Sequence, residues 1–262
     1  MRLWVIDRFA MRNRTRVHCI MTSYRLDSAK SAVASQRATG SEMTGLGTSC
    51  ALFHGLEPQA IRSIIARGYH RSYAKNEVVV TQGSEKRLVG LAVSGLFVVR
   101  RCSANGIFLS LQTIRPGELF CEMSLIDASE NQHEVAAGSE TSSALLFSVR
   151  SFRELMAEHP VLSTRLVEQM ADRISSLAEL SFELATMKTD DRLRKAISKL
   201  ALETNQLRDG GTIYPAPTHA EFACMLGTTR EVVSRSIVAL CREGSIETSR
   251  QSITIRSADA LM

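Results

Sequence analysis

Residues Thr218 to Leu240 read THAEFACMLGTTREVVSRSIVAL, and this stretch decides the fold. It carries two helix-start signals ten residues apart. Thr218 with Glu221, and Thr228 with Glu231, both have capping-box spacing: a hydroxyl, and a carboxylate three residues on, satisfy the free amides of a first helical turn. Gly227 falls between them, where positive φ closes one helix and lets the chain turn into the next. The spacing therefore predicts a helix-turn-helix. In the second helix Val233, Ile237 and Leu240 recur at i, i+4 and i+7, which predicts an inward stripe. Arg230, Glu231, Ser234 and Arg235 gather on the other side near its start.

That polar face has the chemistry to read DNA. An α-helix fits the major groove, where an Arg fork bonds guanine O6 and N7, a Glu accepts from cytosine N4, and a Ser serves several base edges. Thr228 and Thr229, at the mouth of the helix, complete the expected contact set. A plainer reading stands beside it: Glu231 only caps the helix, Glu231 and Arg235 only form an i,i+4 pair, and the face is solvated. The residues after the helix tip the balance. Residues 245–248 and 252–255 are short alternating runs around Ser249, Arg250 and Gln251, the pattern of a hairpin or wing.

With the wing in place, residues 218–255 resemble the winged helix-turn-helix of the Crp/Fnr superfamily of bacterial transcription regulators. The match includes the Arg-Glu-x-x-Ser-Arg recognition helix, here Arg230, Glu231, Ser234 and Arg235. From Leu52 to Leu261 the order of elements is similar throughout. The resemblance implies an α+β fold with a cyclic-nucleotide-binding-type β-roll over 49–150, a dimerisation helix over 151–188 and a winged helix-turn-helix over 189–262. It also implies a cytoplasmic homodimer that regulates transcription together with RNA polymerase. The Glu-x-x-Ser-Arg form is similar to the Fnr-like branch, with its TTGAT-like half-site, and Arg230 also suits the cyclic-AMP receptor branch, with its TGTGA-like half-site. A TGA-like core is the shared expectation.

Composition agrees without deciding anything. The chain has 262 residues, 44% of them hydrophobic, enough for two domains with full cores. No apolar run approaches the roughly 20 residues needed to span a bilayer, so no membrane partner is expected. The net charge of +5 is an N-terminal property: residues 1–50 hold eight Lys or Arg against three Asp or Glu, which leaves the remainder neutral. A case for DNA must rest on local placement of charge. Residues 1–48 show little periodicity and are expected to form a disordered arm or an over-extended start, with Met21 and Met43 as alternative beginnings. Six scattered cysteines without a Cys-x-x-Cys pair suit a reducing compartment. Fnr-type sensors hold an iron–sulfur cluster near the N-terminus; Cys19 and Cys50 alone are too few for four-thiolate ligation, so no cofactor is expected.

Residues 52–150 contain short β-like runs at 77–81, 88–93, 96–101, 108–114 and 143–149. Gly83, Gly95, Gly106 and Gly117 punctuate them at intervals of eleven or twelve, as turns of a roll would. After Gly117, residues 118–127 (ELFCEMSLID) resemble the family cassette that cradles a cyclic phosphate, with Cys121 in place of its second glycine. Nucleotide-binding members place Arg-Ser shortly afterwards; here those places hold Asn131 and Gln132. No Lys or Arg occurs between Pro116 and Val149, so a phosphate is expected to meet carboxylates rather than a cation. Aligned on Gln169-Met170-Ala171 and Arg192, Leu177 and Ala178 fall where the cyclic-AMP receptor uses hydroxyls. Independence from cyclic AMP is the expectation, and Cys121, Glu122, Asn131, Gln132 and Leu177 are the candidate lining of any effector pocket.

The segment from about Val161 to Met187 spaces Leu162, Leu166, Met170, Ile174, Leu177, Leu180 and Leu184 like a coiled-coil seam. A twofold dimer would set two recognition helices about 34 Å apart and imply a palindromic site. Two alternatives remain: a cyclic-nucleotide- or redox-responsive regulator of the same family, sensing through Cys121 or Cys102, and a cupin-type metal enzyme. The enzyme reading is opposed by the wide scatter of His54, His70, His133 and His159 and by the lack of a nucleophile motif or Walker loop.

Overall fold

The computed structural model describes residues 50–126 and 130–261. The arm expected over 1–48, with Cys19, and Asp127 of the cassette lie outside the described residues. After a helix α1 (Pro58–Ala66), whose first position is a proline that has no amide to leave unsatisfied, the described residues up to Phe147 form eight strands. These are β1 (Tyr69–Ala74), β2 (Val78–Val80), β3 (Val89–Ser94), β4 (Phe97–Cys102), β5 (Phe108–Ile114), β6 (Leu119–Phe120), β7 (Glu134–Ala137) and β8 (Thr141–Phe147). They pair into two four-stranded antiparallel sheets, ordered β1-β8-β3-β6 and β2-β7-β4-β5. This is the β-roll. The five runs expected from sequence correspond to β2, β3, β4, β5 and β8, whereas β1, β6 and β7 carry too little alternation to stand out.

The roll has two apolar layers because its first sheet is covered on both sides. Val89, Leu91 and Val93 of β3 face a cluster that includes Leu119, Leu145, Phe152 and Leu162, while Leu88 and Ala92 face Tyr73, Phe97 and Phe120 between the sheets. That double burial explains why β3 reads as a nearly continuous apolar run. Phe97 and Phe120 pack with ring centres 5.2 Å apart, and Gly90 makes room for the Phe120 ring.

The segment after the roll holds two helices. Helix α2 (Val149–Glu158) starts at Ser148, whose side chain accepts from the Ser151 amide, and the chain breaks at His159-Pro160 before α3 (Val161–Thr186). Leu162 and Leu166 of α3 are buried against the roll, and Met170 packs beside them. The first half of the expected seam is thus used within the chain. Val167, Ile174 and Phe182 remain 65%, 67% and 62% exposed.

The C-terminal lobe consists of α4 (Thr189–Glu203), β9 (Thr212–Ile213), α5 (His219–Leu226), α6 (Arg230–Arg242), β10 (Ile246–Ser249) and β11 (Ser252–Ile255). Helices α5 and α6 are the predicted helix-turn-helix. Strands β10 and β11 form the predicted hairpin, turning at Arg250 and Gln251, and β9 adds a third strand beside β11. Leu193 and Ile197 of α4, Phe222 and Leu226 of α5, and Val233, Ile237 and Leu240 of α6 share one core with Ile246, Ile253 and Ile255. Among the described residues no helix is long and apolar enough to cross a membrane.

A Cβ at Gly90 would overlap the Phe120 ring. Gly90→Ala should therefore destabilise the protein by about 1–3 kcal/mol through overpacking, read as a lower urea midpoint at unchanged slope. An unchanged midpoint would show that the aromatic layer yields freely.

Candidate nucleic-acid interface and effector pocket

The first cap forms as the spacing predicts. The Glu221 amide donates to Thr218 Oγ1 at 3.2 Å, and the Thr218 amide donates to Glu221 Oε2 at 2.7 Å. Burial works against the Glu221 carboxylate, but the Thr218 amide and hydroxyl and the Lys75 ammonium, 3.2 Å away, outweigh it and hold its pKa below the usual range. The second cap differs from the expectation. The Thr228 amide donates to Ala223 O at 3.0 Å as part of the α5 exit, and Thr229 caps α6, accepting from the Val232 amide at 3.5 Å. Two adjacent threonines made the frame ambiguous by one residue. Glu231 then lies inside the first turn, where its own amide and the Thr229 hydroxyl keep its carboxyl acidic.

Arg230, Glu231 and Arg235 are exposed on α6, opposite buried Val233, Ile237 and Leu240. Thr229 is exposed and Thr228 half-buried at the mouth of the helix. Ser234 is half-buried, and its Oγ lies 2.8 Å from His219 Nδ1 on α5. Ser236, one turn from the surface residues, donates to Asp190 on α4 and so fixes the roll of α6 about its axis. A cleft of about 340 Å³ opens beside Arg235, bordered by Asp190, Val232, Ser236 and Ala239.

At the cassette the expectation of a site without a cation needs correcting. Arg173 of α3 forms an ion pair with Glu122 and donates to Leu119 O, and the two side chains are only 12% and 10% exposed. Counting Lys and Arg between Pro116 and Val149 missed it because the guanidinium comes from another element. One turn earlier, Gln169 Oε1 accepts from the Leu119 amide at 3.2 Å and Gln169 Nε2 donates to Leu119 O at 3.1 Å. Helix α3 is thereby strapped to β6. Cys121 adopts a left-handed conformation with φ 59°, the geometry that favours glycine, and burial pushes its thiol up to about 12. Burial also raises the Cys102 thiol. Both shifts disfavour the thiolate that redox sensing needs. Cys50 is buried, its thiol donating to Gly117 O at 3.3 Å and raised to about 11.

The other predicted pocket residues go elsewhere. Asn131 Nδ2 donates to Ser84 O and Lys86 O, both at 2.7 Å, and so ties down the 82–87 loop. Gln132 is exposed and bonds within its own turn at 3.4 Å, and Leu177 is exposed on α3. Among the described residues no group of three or more His, Cys, Asp or Glu is placed to hold a metal ion.

Residues 70–159 match the cyclic nucleotide-binding domain family, and residues 191–262 match the Crp-like helix-turn-helix domain family. The cyclic AMP receptor protein of Thermus thermophilus is 31% identical over 211 residues, covering 80% of this chain and 94% of that protein. The chain belongs to the Crp/Fnr superfamily of transcription regulators. It is 24% identical over 186 residues to the transcriptional activator FnrL of Cereibacter sphaeroides, covering 68% of this chain and 72% of that one. The c-di-GMP-responsive global regulator CLP of Xanthomonas campestris shares the fold, with a TM-score of 0.70 at 17% identity over 77% of this chain and 100% of that one.

In this Crp/Fnr-type chain, Arg173 was legible in principle. Leu162, Leu166, Gln169 and Arg173 run at i, i+4, i+7 and i+11, so an arginine continues a buried apolar register and demands a partner. His219 left no such signal, since its contact with Ser234 is made only when two helices cross. The Glu122–Arg173 pair yields a direct test. Glu122→Ala should cost about 3–5 kcal/mol by leaving Arg173 uncompensated, and Glu122→Leu with Arg173→Met should recover most of that loss in urea unfolding. Additive losses would contradict the pairing.

Proposed function

We infer that this transcription regulator acts as a cytoplasmic homodimer on a TGA-containing palindrome, in concert with RNA polymerase and without requiring a cyclic nucleotide. Arg230, Glu231, Ser234 and Arg235 read base edges, and Thr228 and Thr229 approach the backbone. The observation that carries this reading is the exposure of Arg230, Glu231 and Arg235 together at the start of a helix whose opposite face is locked into the lobe. A two-sided α3 supports the dimer: its early residues are buried on the roll, and Val167, Ile174 and Phe182 form an apolar patch that calls for a partner. The engagement of Arg173 by Glu122, the strained Cys121 and the structural use of Asn131 support independence from cyclic AMP.

One observation favours a second reading. The Arg173 guanidinium stands at the cassette, so an anionic effector able to displace Glu122 would find a cation there. The Thermus relative is a cyclic AMP receptor by name, and the Xanthomonas protein of the same fold is c-di-GMP-responsive, so these two nucleotides are the probes to use.

Arg230→Ala and Arg235→Ala should each weaken binding to a selected site by about 1–3 kcal/mol and relax base preference at separate positions, measured by fluorescence anisotropy. Wild-type affinity in both variants would refute the readout. Calorimetry with cyclic AMP and cyclic di-GMP should show no binding; micromolar affinity for either would transfer the conclusion to the effector-driven reading.

A further inference from the structure

Serine is an undiscriminating base reader on its own. Its hydroxyl carries one proton and two lone pairs, so a free rotor can donate to guanine or thymine oxygens as readily as it accepts from cytosine or adenine amino groups. Serines and threonines inside helices usually settle the matter locally, by donating to the carbonyl four residues back. Ser175, Ser176, Ser181 and Thr186 all do so here, at 2.7–3.1 Å. Ser234 is different. Its Oγ meets His219 Nδ1 at 2.8 Å, across the helix crossing.

We propose that His219 is a positioning residue for DNA reading, which fixes the orientation of the Ser234 hydroxyl and so decides which half of its hydrogen-bonding capacity faces the bases. The inference rests on the proposed function, in which Ser234 is a base reader. If Nδ1 carries the proton, it occupies a lone pair of Ser234 and leaves the hydroxyl proton to donate outward; if Nδ1 is bare, it takes that proton and leaves Ser234 an acceptor. Either arrangement converts an ambiguous contact into a selective one. The imidazole itself is well held. It sits at the first position of α5, whose backbone is pinned by the Thr218–Glu221 capping box, and Lys75 of the roll secures Glu221 from the other side. His219 and Ser234 are both half-buried, so neither side chain is free to drift from the other.

The test uses the full-length protein and a set of duplexes in which each half-site position of a selected site is changed in turn. Ser234→Ala identifies the position whose preference depends on the hydroxyl. His219→Ala should lose that same preference by a similar factor, roughly three- to tenfold for one neutral hydrogen bond, and the double variant should lose no more. His219→Asn, whose amide can stand where Nδ1 stood, should retain it. An even loss across all duplexes in His219→Ala, or a loss that adds to that of Ser234→Ala, would overturn the coupling while leaving Ser234 as a reader. If Ser234→Ala leaves every preference intact, the base-reading assignment of Ser234 fails and the coupling fails with it.

Discussion

The turn at Gly227 is the constraint on which the rest of the molecule depends. Its φ of +62° closes α5, and a Cβ there would stand 2.9 Å from Leu109 of β5 and 3.8 Å from Leu184 of α3. A glycine is needed on two counts, conformation and space. Three parts of the chain therefore meet at one point: the roll, the long helix and the helix pair. Arg192 reinforces the joint, donating to Leu226 O at 3.0 Å and to Met187 O at 3.4 Å. Lys75–Glu221 and Arg115–Glu203, at 3.2 and 2.9 Å, join the roll to the C-terminal lobe on either side. The direction in which α6 presents its arginines is thus set by contacts with the roll as much as by its own lobe.

That arrangement links the cassette to the helix pair. Helix α3 is strapped to β6 by Gln169 and Arg173, and its far end abuts the Gly227 turn. Helix α3 is the element common to both: Arg173 lies in its middle, and Leu184 near its end stands beside the Gly227 turn. In this chain the pair is satisfied internally. Glu122 of the cassette and Arg173 of α3 neutralise each other within the chain.

Much of the architecture was legible in the residues. The first cap, Gly227, the inward stripe of α6 and the wing all come from local rules, since each is decided within a few residues. The turn glycines and most roll strands were readable for the same reason. What escaped was tertiary or finely balanced. The second cap slipped from Thr228 to Thr229 because two neighbouring hydroxyls competed for one role. Arg173 escaped because a cation was sought along one segment while a distant helix supplied it. His219 lay on a helix assigned no chemistry, and Asn131, placed in the pocket by alignment, turned out to fasten a neighbouring loop.

The exposed start of α6 is proposed to read a palindrome in the absence of any nucleotide. Selection of bound sequences from random DNA by the purified protein, with no nucleotide added, tests it most directly. Two inverted TGA-containing half-sites whose centres lie about one helical turn apart are expected. Enrichment of a single unpaired half-site, of unrelated sequences, or of nothing until a cyclic nucleotide is supplied would contradict it.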